Sequence, residues 1–152
     1  MKHDFEYMGL ALQEALCAFD EHEVPVGAMI VSSGGRILAR AHNIKEKTAD
    51  PTAHAELIAI REACQEIRNW RLVGCVMYVT MEPCVMCLSA IQQARINRLV
   101  FGAYDSKGGA ISLGHNIHCD RRLNHKFDVV GGIGQYESSQ LLRNFFRARR
   151  RK

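Results

Sequence analysis

The chain has 152 residues and a mass of 17.1 kDa, a length that fits one domain with its own core. Hydrophobic residues make up 47% and charged residues 24%, which excludes a disordered chain, and no apolar run approaches the roughly 18 residues of a membrane span. The net charge of +4 is uneven: Arg143 to Lys152 holds six of the 20 basic residues and no acidic one, leaving 14 basic against 16 acidic elsewhere. Such a tail points to a polyanion, nucleic acid among them, while a solvated tail with no partner remains the plainer alternative.

Phe5, Met8, Leu12, Ala15, Leu16 and Phe19 recur at three- and four-residue spacing and predict one buried face of a first helix. No apolar h-region follows the N-terminal Met1-Lys2-His3-Asp4, so a cytoplasmic location is expected. Residues 24–31 read as a short apolar strand. Ser33-Gly34-Gly35-Arg36 is turn-like and, with Ile37-Leu38-Ala39, predicts a hairpin. Asp50-Pro51-Thr52 carries helix-start chemistry, with Asp50 or Thr52 as cap, and the helix continues through Leu57, Ile58, Ile60, Arg61 and Cys64. Residues 75–80 read as a buried strand. Pro83 opens a helix containing Leu88, Ile91 and Ala94, and residues 98–101 form a further strand. Residues 102–126 are rich in Gly, His and Asn and lack clear periodicity; a loop that long is functional or conceals an element. Residues 127–130 give the last strand, and Tyr136 to Arg150 a final helix with Leu141, Leu142, Phe145 and Phe146 on one side. This order implies an α/β protein with a layered sheet and helices on its faces. The whole of 1–152 reads as a single domain, with 136–152 as a basic C-terminal helix and tail.

The six cysteines are too few for a disulfide scaffold and suit a reducing compartment, as core, metal-bound or catalytic groups. Only Cys84 and Cys87 form a Cys-x-x-Cys pair, at a helix start, where both side chains share a face and the helix N-terminus favours thiolates. His54-Ala55-Glu56 opens the preceding helix. One imidazole and two thiolates suit zinc, and three protein ligands leave a fourth tetrahedral position for water. Zinc lowers the pKa of such a water to about 7. Glu56, two residues from His54, is placed to move protons without being a ligand.

His-x-Glu followed by Pro-Cys-x-x-Cys is the signature of zinc nucleobase deaminases. Around it, whole phrases resemble bacterial tRNA-specific adenosine deaminases. They are Glu23-Val24-Pro25-Val26-Gly27-Ala28, Asp50-Pro51-Thr52-Ala53-His54-Ala55-Glu56 and Tyr78-Val79-Thr80-Met81-Glu82-Pro83-Cys84-Val85-Met86-Cys87. Val100-Phe101-Gly102-Ala103-Tyr104-Asp105-Ser106-Lys107, Leu123-Asn124-His125 and Phe145-Phe146-Arg147-Ala148-Arg149-Arg150 extend the likeness over nearly the whole chain. The resemblance implies a cytidine-deaminase-like, three-layer α/β/α fold with a central five-stranded mixed sheet, and a homodimer. It implies one zinc per subunit, held by His54, Cys84 and Cys87, with Glu56 as proton shuttle. The substrate it implies is the wobble adenosine of a tRNA anticodon stem-loop, converted to inosine, in bacteria on an arginine tRNA with anticodon ACG.

By the same likeness Asn43 meets the target base, and Asp105 and Lys107 lie in a segment touching flanking nucleotides. Phe145 or Phe146 either packs in the core or stacks on a base, and Arg149 and its basic neighbours meet phosphates. Asn43 holding a turn, and Asp105 and Lys107 as solvated charges, are the plainer alternatives. Tyr104, and Gly108-Gly109-Ala110-Ile111-Ser112-Leu113, depart from the family wording. His115, His118 and Cys119 resemble a second metal cluster only superficially. A deaminase of free bases or nucleotides, such as guanine or deoxycytidylate, would not need the basic aromatic tail. A structural-zinc RNA-binding protein would need a fourth ligand, and Cys75, His42 and His115 lack ligand spacing. A tail serving a protein partner is a third alternative.

Overall fold

The computed structural model describes residues 2–151, so the predicted phosphate contact of Lys152 lies outside them. Its helices and strands are α1 (Lys2–Asp20), β1 (Gly27–Val31), β2 (Ile37–His42), α2 (Lys45–Thr48), α3 (Ala55–Ile67), β3 (Val76–Met81), α4 (Val85–Gln93), β4 (Arg98–Ala103), β5 (Asp128–Gly131) and α5 (Gln135–Arg150). The strands form one mixed sheet in the order β2-β1-β3-β4-β5. β1 pairs antiparallel with β2 and β3, whereas β3–β4 and β4–β5 are parallel.

Both faces of the sheet are covered, so its central strands read as continuous apolar runs rather than alternating ones. Ala28, Ile30, Met77, Val79, Leu99 and Phe101 face α3 and α4, meeting Ala55, Ala59, Ala63, Leu88 and Ile91. The alternate residues Met29, Val31, Tyr78 and Val100 face Met8 and Ala11 of α1. α5 packs beside α1 on that second face, against β4. The three-layer α/β/α expectation and the five-stranded mixed sheet both hold.

α1 differs from its predicted face. Phe5 and Leu16 stand 56% and 50% exposed, and the buried stripe is Asp4, Met8, Ala11, Ala15 and Ala18. The cause is close approach. Any Cβ on Gly27 would collide with the Ala11 carbonyl and the Ala15 amide of α1. Only an alanine-lined face lets a helix backbone come so near a strand.

The start of α3 also differs. Asp50 accepts hydrogen bonds from the Thr52 amide (2.8 Å) and hydroxyl (2.7 Å), forming a local turn rather than a helix cap. His54 is the N-cap instead, in extended conformation. α4 likewise begins one residue after its extended N-cap, Cys84, rather than at Pro83.

Residues 104–127 contain neither helix nor strand. Parallel strands cannot be joined by a hairpin, so β4 and β5 require a crossover, and this segment is it. It is packed: Ala110 and Phe127 are buried, the Ala110 amide donates to the Pro83 carbonyl (2.9 Å), and His125 Nε2 meets the Ile96 carbonyl (2.7 Å). Asn124 accepts from the Gln92 side chain of α4 (3.2 Å).

Candidate active site

The sheet delivers two helix N-termini to one place. His54 and Cys84 are both N-caps, and neither uses its side chain to cap, so both are free to point into the site. Cys87 lies buried in the first turn of α4. His54 Nδ1 is 3.7 Å from Cys84 Sγ and 3.5 Å from Cys87 Sγ, and the three donors lie within 4.8 Å of one another. A tetrahedral zinc with arms of about 2.0 Å to nitrogen and 2.3 Å to sulfur has edges of roughly 3.5–3.8 Å, so the donors fit that ion. Among the described residues this is the only such cluster, and His115, His118 and Cys119 form none.

The protons are arranged asymmetrically. A hydrogen bond from the Cys87 thiol holds the Cys84 thiol down at about 4, and His54 adds to this against the cost of burial. Cys87 is pushed up correspondingly, first by sharing its proton with Cys84 and then by burial. His54 is raised, first by the Cys84 sulfur. One thiolate and one thiol therefore face the imidazole, and a bound dication would displace the remaining proton.

Glu56 sits in the first turn of α3, only 4% exposed. Burial lifts its carboxyl to about 7, although its own backbone amide and His54 pull it down. It lines a pocket of about 150 Å³ together with Val24, Val26, Asn43, His54 and Asp105. The pocket thus combines two apolar walls with a few convergent polar groups.

Asn43 is buried at this pocket. Its amide donates to the Val24 carbonyl (3.2 Å) and its oxygen accepts from the Lys45 amide (3.2 Å), so it holds a turn and lines the pocket at once. Asp105 lines the pocket and accepts from the Lys107 amide (3.0 Å), while Lys107 itself is exposed outside it. The tail residues are not in this pocket. Phe145 is 4% exposed and packs edge-on to Phe19 at 5.9 Å, whereas Phe146 is 42% exposed. Arg149 stands 5.4 Å over the Phe145 ring, beside a groove between the ends of α1 and α5.

Two buried carboxylates at the site carried no assignment from sequence. Glu23 accepts from the amides of Glu46 (3.1 Å) and Lys47 (2.6 Å), fixing α2, and so the chain after Asn43. Glu82 holds the loop that bears Asp105. Each is an acid one or two residues before a proline, in Glu23-Val24-Pro25 and Glu82-Pro83, and that was the one available signal.

Two cysteine sulfurs and an imidazole at paired helix starts, beside a buried carboxylate at the edge of a pocket, are the parts of a zinc-dependent deaminase. Accordingly, the family model for the cytidine and deoxycytidylate deaminase zinc-binding region matches residues 1–103, and the chain belongs to that family. Its relatives place it within the family among the tRNA-specific adenosine deaminases. It is 43% identical to the tRNA-specific adenosine deaminase of Bacillus subtilis (strain 168), over 100% of this chain and 94% of that protein. It is 46% identical to that of Agrobacterium fabrum (strain C58 / ATCC 33970), over 95% of this chain and 94% of that protein. A solved structure from a study of A-to-I editing by tRNA:A34 deaminases at the wobble position of transfer RNA superposes with a TM-score of 0.85 at 44% identity. That match covers 90% of this chain and 99% of the other.

Proposed function

We propose that this chain is a tRNA adenosine deaminase that converts the wobble adenosine of an anticodon to inosine, with an arginine tRNA of anticodon ACG as the expected substrate. The observation that carries this reading is the His54–Cys84–Cys87 donor triangle beside buried Glu56, on a chain matched end to end by tRNA-specific adenosine deaminases. Zinc, when bound at one site per subunit, acts as a Lewis acid that makes a water nucleophilic near neutral pH. Residues 1–152 work as one deaminase domain, with 136–152 as its basic helix and tail, in a homodimer in the cytoplasm, and no helix among the described residues is long and apolar enough to cross a membrane.

The target base enters from an unstacked loop, which costs less than opening a duplex. Val24 and Val26 supply apolar walls, and Asn43 offers its amide to the base edge. Glu56 takes a proton from the attacking water and passes it to ring nitrogen 1, as oxygen adds to carbon 6. It then takes the proton of the new carbon-6 hydroxyl and delivers it to the 6-amino group, so the C–N bond breaks, ammonia leaves and the carbon-6 carbonyl of inosine forms. A carboxyl raised by burial can both accept and return a proton near neutrality. Asp105 and Lys107 meet the flanking nucleotides, and Arg149 with the other tail arginines meets phosphates. Phe145 shapes the groove under Arg149.

A small-molecule deaminase is the weaker reading, because a free base gives the six-charge tail nothing to bind. A structural zinc site is weaker too, since no fourth protein donor joins the cluster among the described residues. The test is incubation of the zinc-loaded protein with an anticodon stem-loop carrying a wobble adenosine. Inosine is expected, and deamination of free guanine or deoxycytidylate without it would overturn the reading.

A further inference from the structure

Glu82 follows the last residue of β3 and precedes the Pro83–Cys84 junction that delivers a zinc ligand. Its side chain is 3% exposed. Oε2 accepts from the Asp105 amide (2.9 Å) and the Ser112 hydroxyl (2.7 Å), and Oε1 accepts from the Ser112 amide (2.7 Å). All three donors belong to the crossover loop. Gly109 lies directly on the carboxylate, and a Cβ there would collide with Cδ and both oxygens. The glycine therefore lets the loop close down on the acid.

Burying a carboxylate among neutral donors is costly, and three hydrogen bonds offset that cost only while the loop keeps this shape. An ionised carboxylate is acceptor-only, so it can hold donors on both oxygens without any mismatch. The main-chain bonds from Glu82 N to the Ala103 carbonyl (2.8 Å) and from Ala110 N to the Pro83 carbonyl (2.9 Å) flank the anchor. The result is a rigid bracket between the strand–helix junction and the pocket wall at Asp105. Glu82 itself also lines the pocket, but its oxygens are already taken by the loop.

We propose that Glu82 is a positioning residue for substrate recognition: it fixes residues 105–112 so that Asp105 forms the wall met by the nucleotides adjoining the target base. This rests on the reading of the site as one for a base carried in an RNA loop. The anchor acts on binding of the strand, and the proton chemistry at Glu56 is left in place.

Glu82→Gln keeps the volume but turns an NH2 toward a donor, breaking the bracket on one side. Its kcat and KM are measured on the anticodon stem-loop with the wobble adenosine, and on the same stem-loop made abasic at both flanking nucleotides. The expected result is a KM raised about tenfold on the intact stem-loop, with kcat changed less than about threefold and zinc content unchanged. On the abasic stem-loop the variant and the wild type should differ in KM by less than about threefold. Ser112→Ala, at an exposed position, removes one of the three bonds and should show a smaller KM rise with the same dependence on the flanking bases. Wild-type KM in both variants would overturn the proposal, and so would equal penalties on the two stem-loops or loss of zinc. Absence of inosine with the wild-type protein would instead overturn the functional reading.

Discussion

Glu56 and the three zinc donors divide their work cleanly, and substitution should separate them. Glu56→Gln leaves His54, Cys84 and Cys87 untouched, so metal content by atomic absorption should stay at the wild-type level. Deamination should fall by about 10²–10⁴-fold, the usual contribution of a positioned acid–base group. Cys87→Ala removes one corner of a donor triangle whose edges are 3.5 and 3.7 Å at His54. It should lose both zinc and activity. Retained activity in Glu56→Gln would remove Glu56 from proton transfer. Within each segment these four residues were legible because spacings of two and three at helix starts fix relative directions, whereas the meeting of His54 with Cys84 and Cys87, 30 and 33 residues on, came from the likeness to the deaminase signature. Glu23 and Glu82 were not legible, since their partners lie 23 to 30 residues away and only the folded chain brings them together. Phe145 was legible as apolar, but which of the two phenylalanines turns inward depends on where Phe19 of α1 ends up.

At the scale of elements, the docking of α1 decides how the pocket's far side is supported. Asp4 is buried and takes two bonds from Arg98 of β4 (2.8 and 2.9 Å) and one from the Tyr78 hydroxyl of β3 (2.8 Å). The Arg98 guanidinium holds the Asp4 carboxyl at about 2, below its ordinary 3.8. A depressed acid stabilises the fold fully above its unfolded pKa and loses that contribution as pH falls through the folded value. Asp4→Asn should therefore cost roughly 2 kcal/mol near pH 7 in urea unfolding, with the gap closing between about pH 4 and pH 2. A pH-independent gap would show that the charge does not matter. α5 depends on Gly102, where any Cβ would meet the Ser138 side chain and the Thr80 carbonyl. Gly102→Ala should lift α5 from β4, costing about 1–3 kcal/mol and raising hydrogen exchange in 135–150 more than elsewhere. Periodicity found both helices from sequence. It missed the face of α1 because it weighs large apolar residues, whereas a helix pressed on a glycine strand needs small ones. The single turn α2 has no periodicity to read and exists because Glu23 holds its amides.

At the scale of the molecule, charge and chemistry occupy different regions. The parallel pairing of β4 with β5 has no local signature, so the fold beyond a layered sheet came from the likeness to a family rather than from pattern. The charge asymmetry was legible directly, and the structure gives it a shape. Phe145 anchors α5, and Arg143, Arg147 and Arg150 line a second shallow surface on its outer side, away from Phe19. The arginines from 147 onward are exposed among the described residues, so removing them should cost little stability beyond the last turn of α5 and the Arg149–Phe145 contact. If all six tail charges neutralise single-stranded phosphate, log K falls against log salt with a slope of about −4. Deleting residues 147–152 removes five of the six, and the slope should flatten to about −1. The truncated protein should bind the stem-loop much more weakly at low salt and almost as well as the full chain at high salt, measured by fluorescence anisotropy across a salt series. Its kcat at saturating stem-loop should hold, because no residue of 147–152 lines the pocket at Glu56. An unchanged slope would move the phosphate contacts to the body of the protein, whose net charge is −2. Such a body would have to gather phosphates through local clusters against its own field.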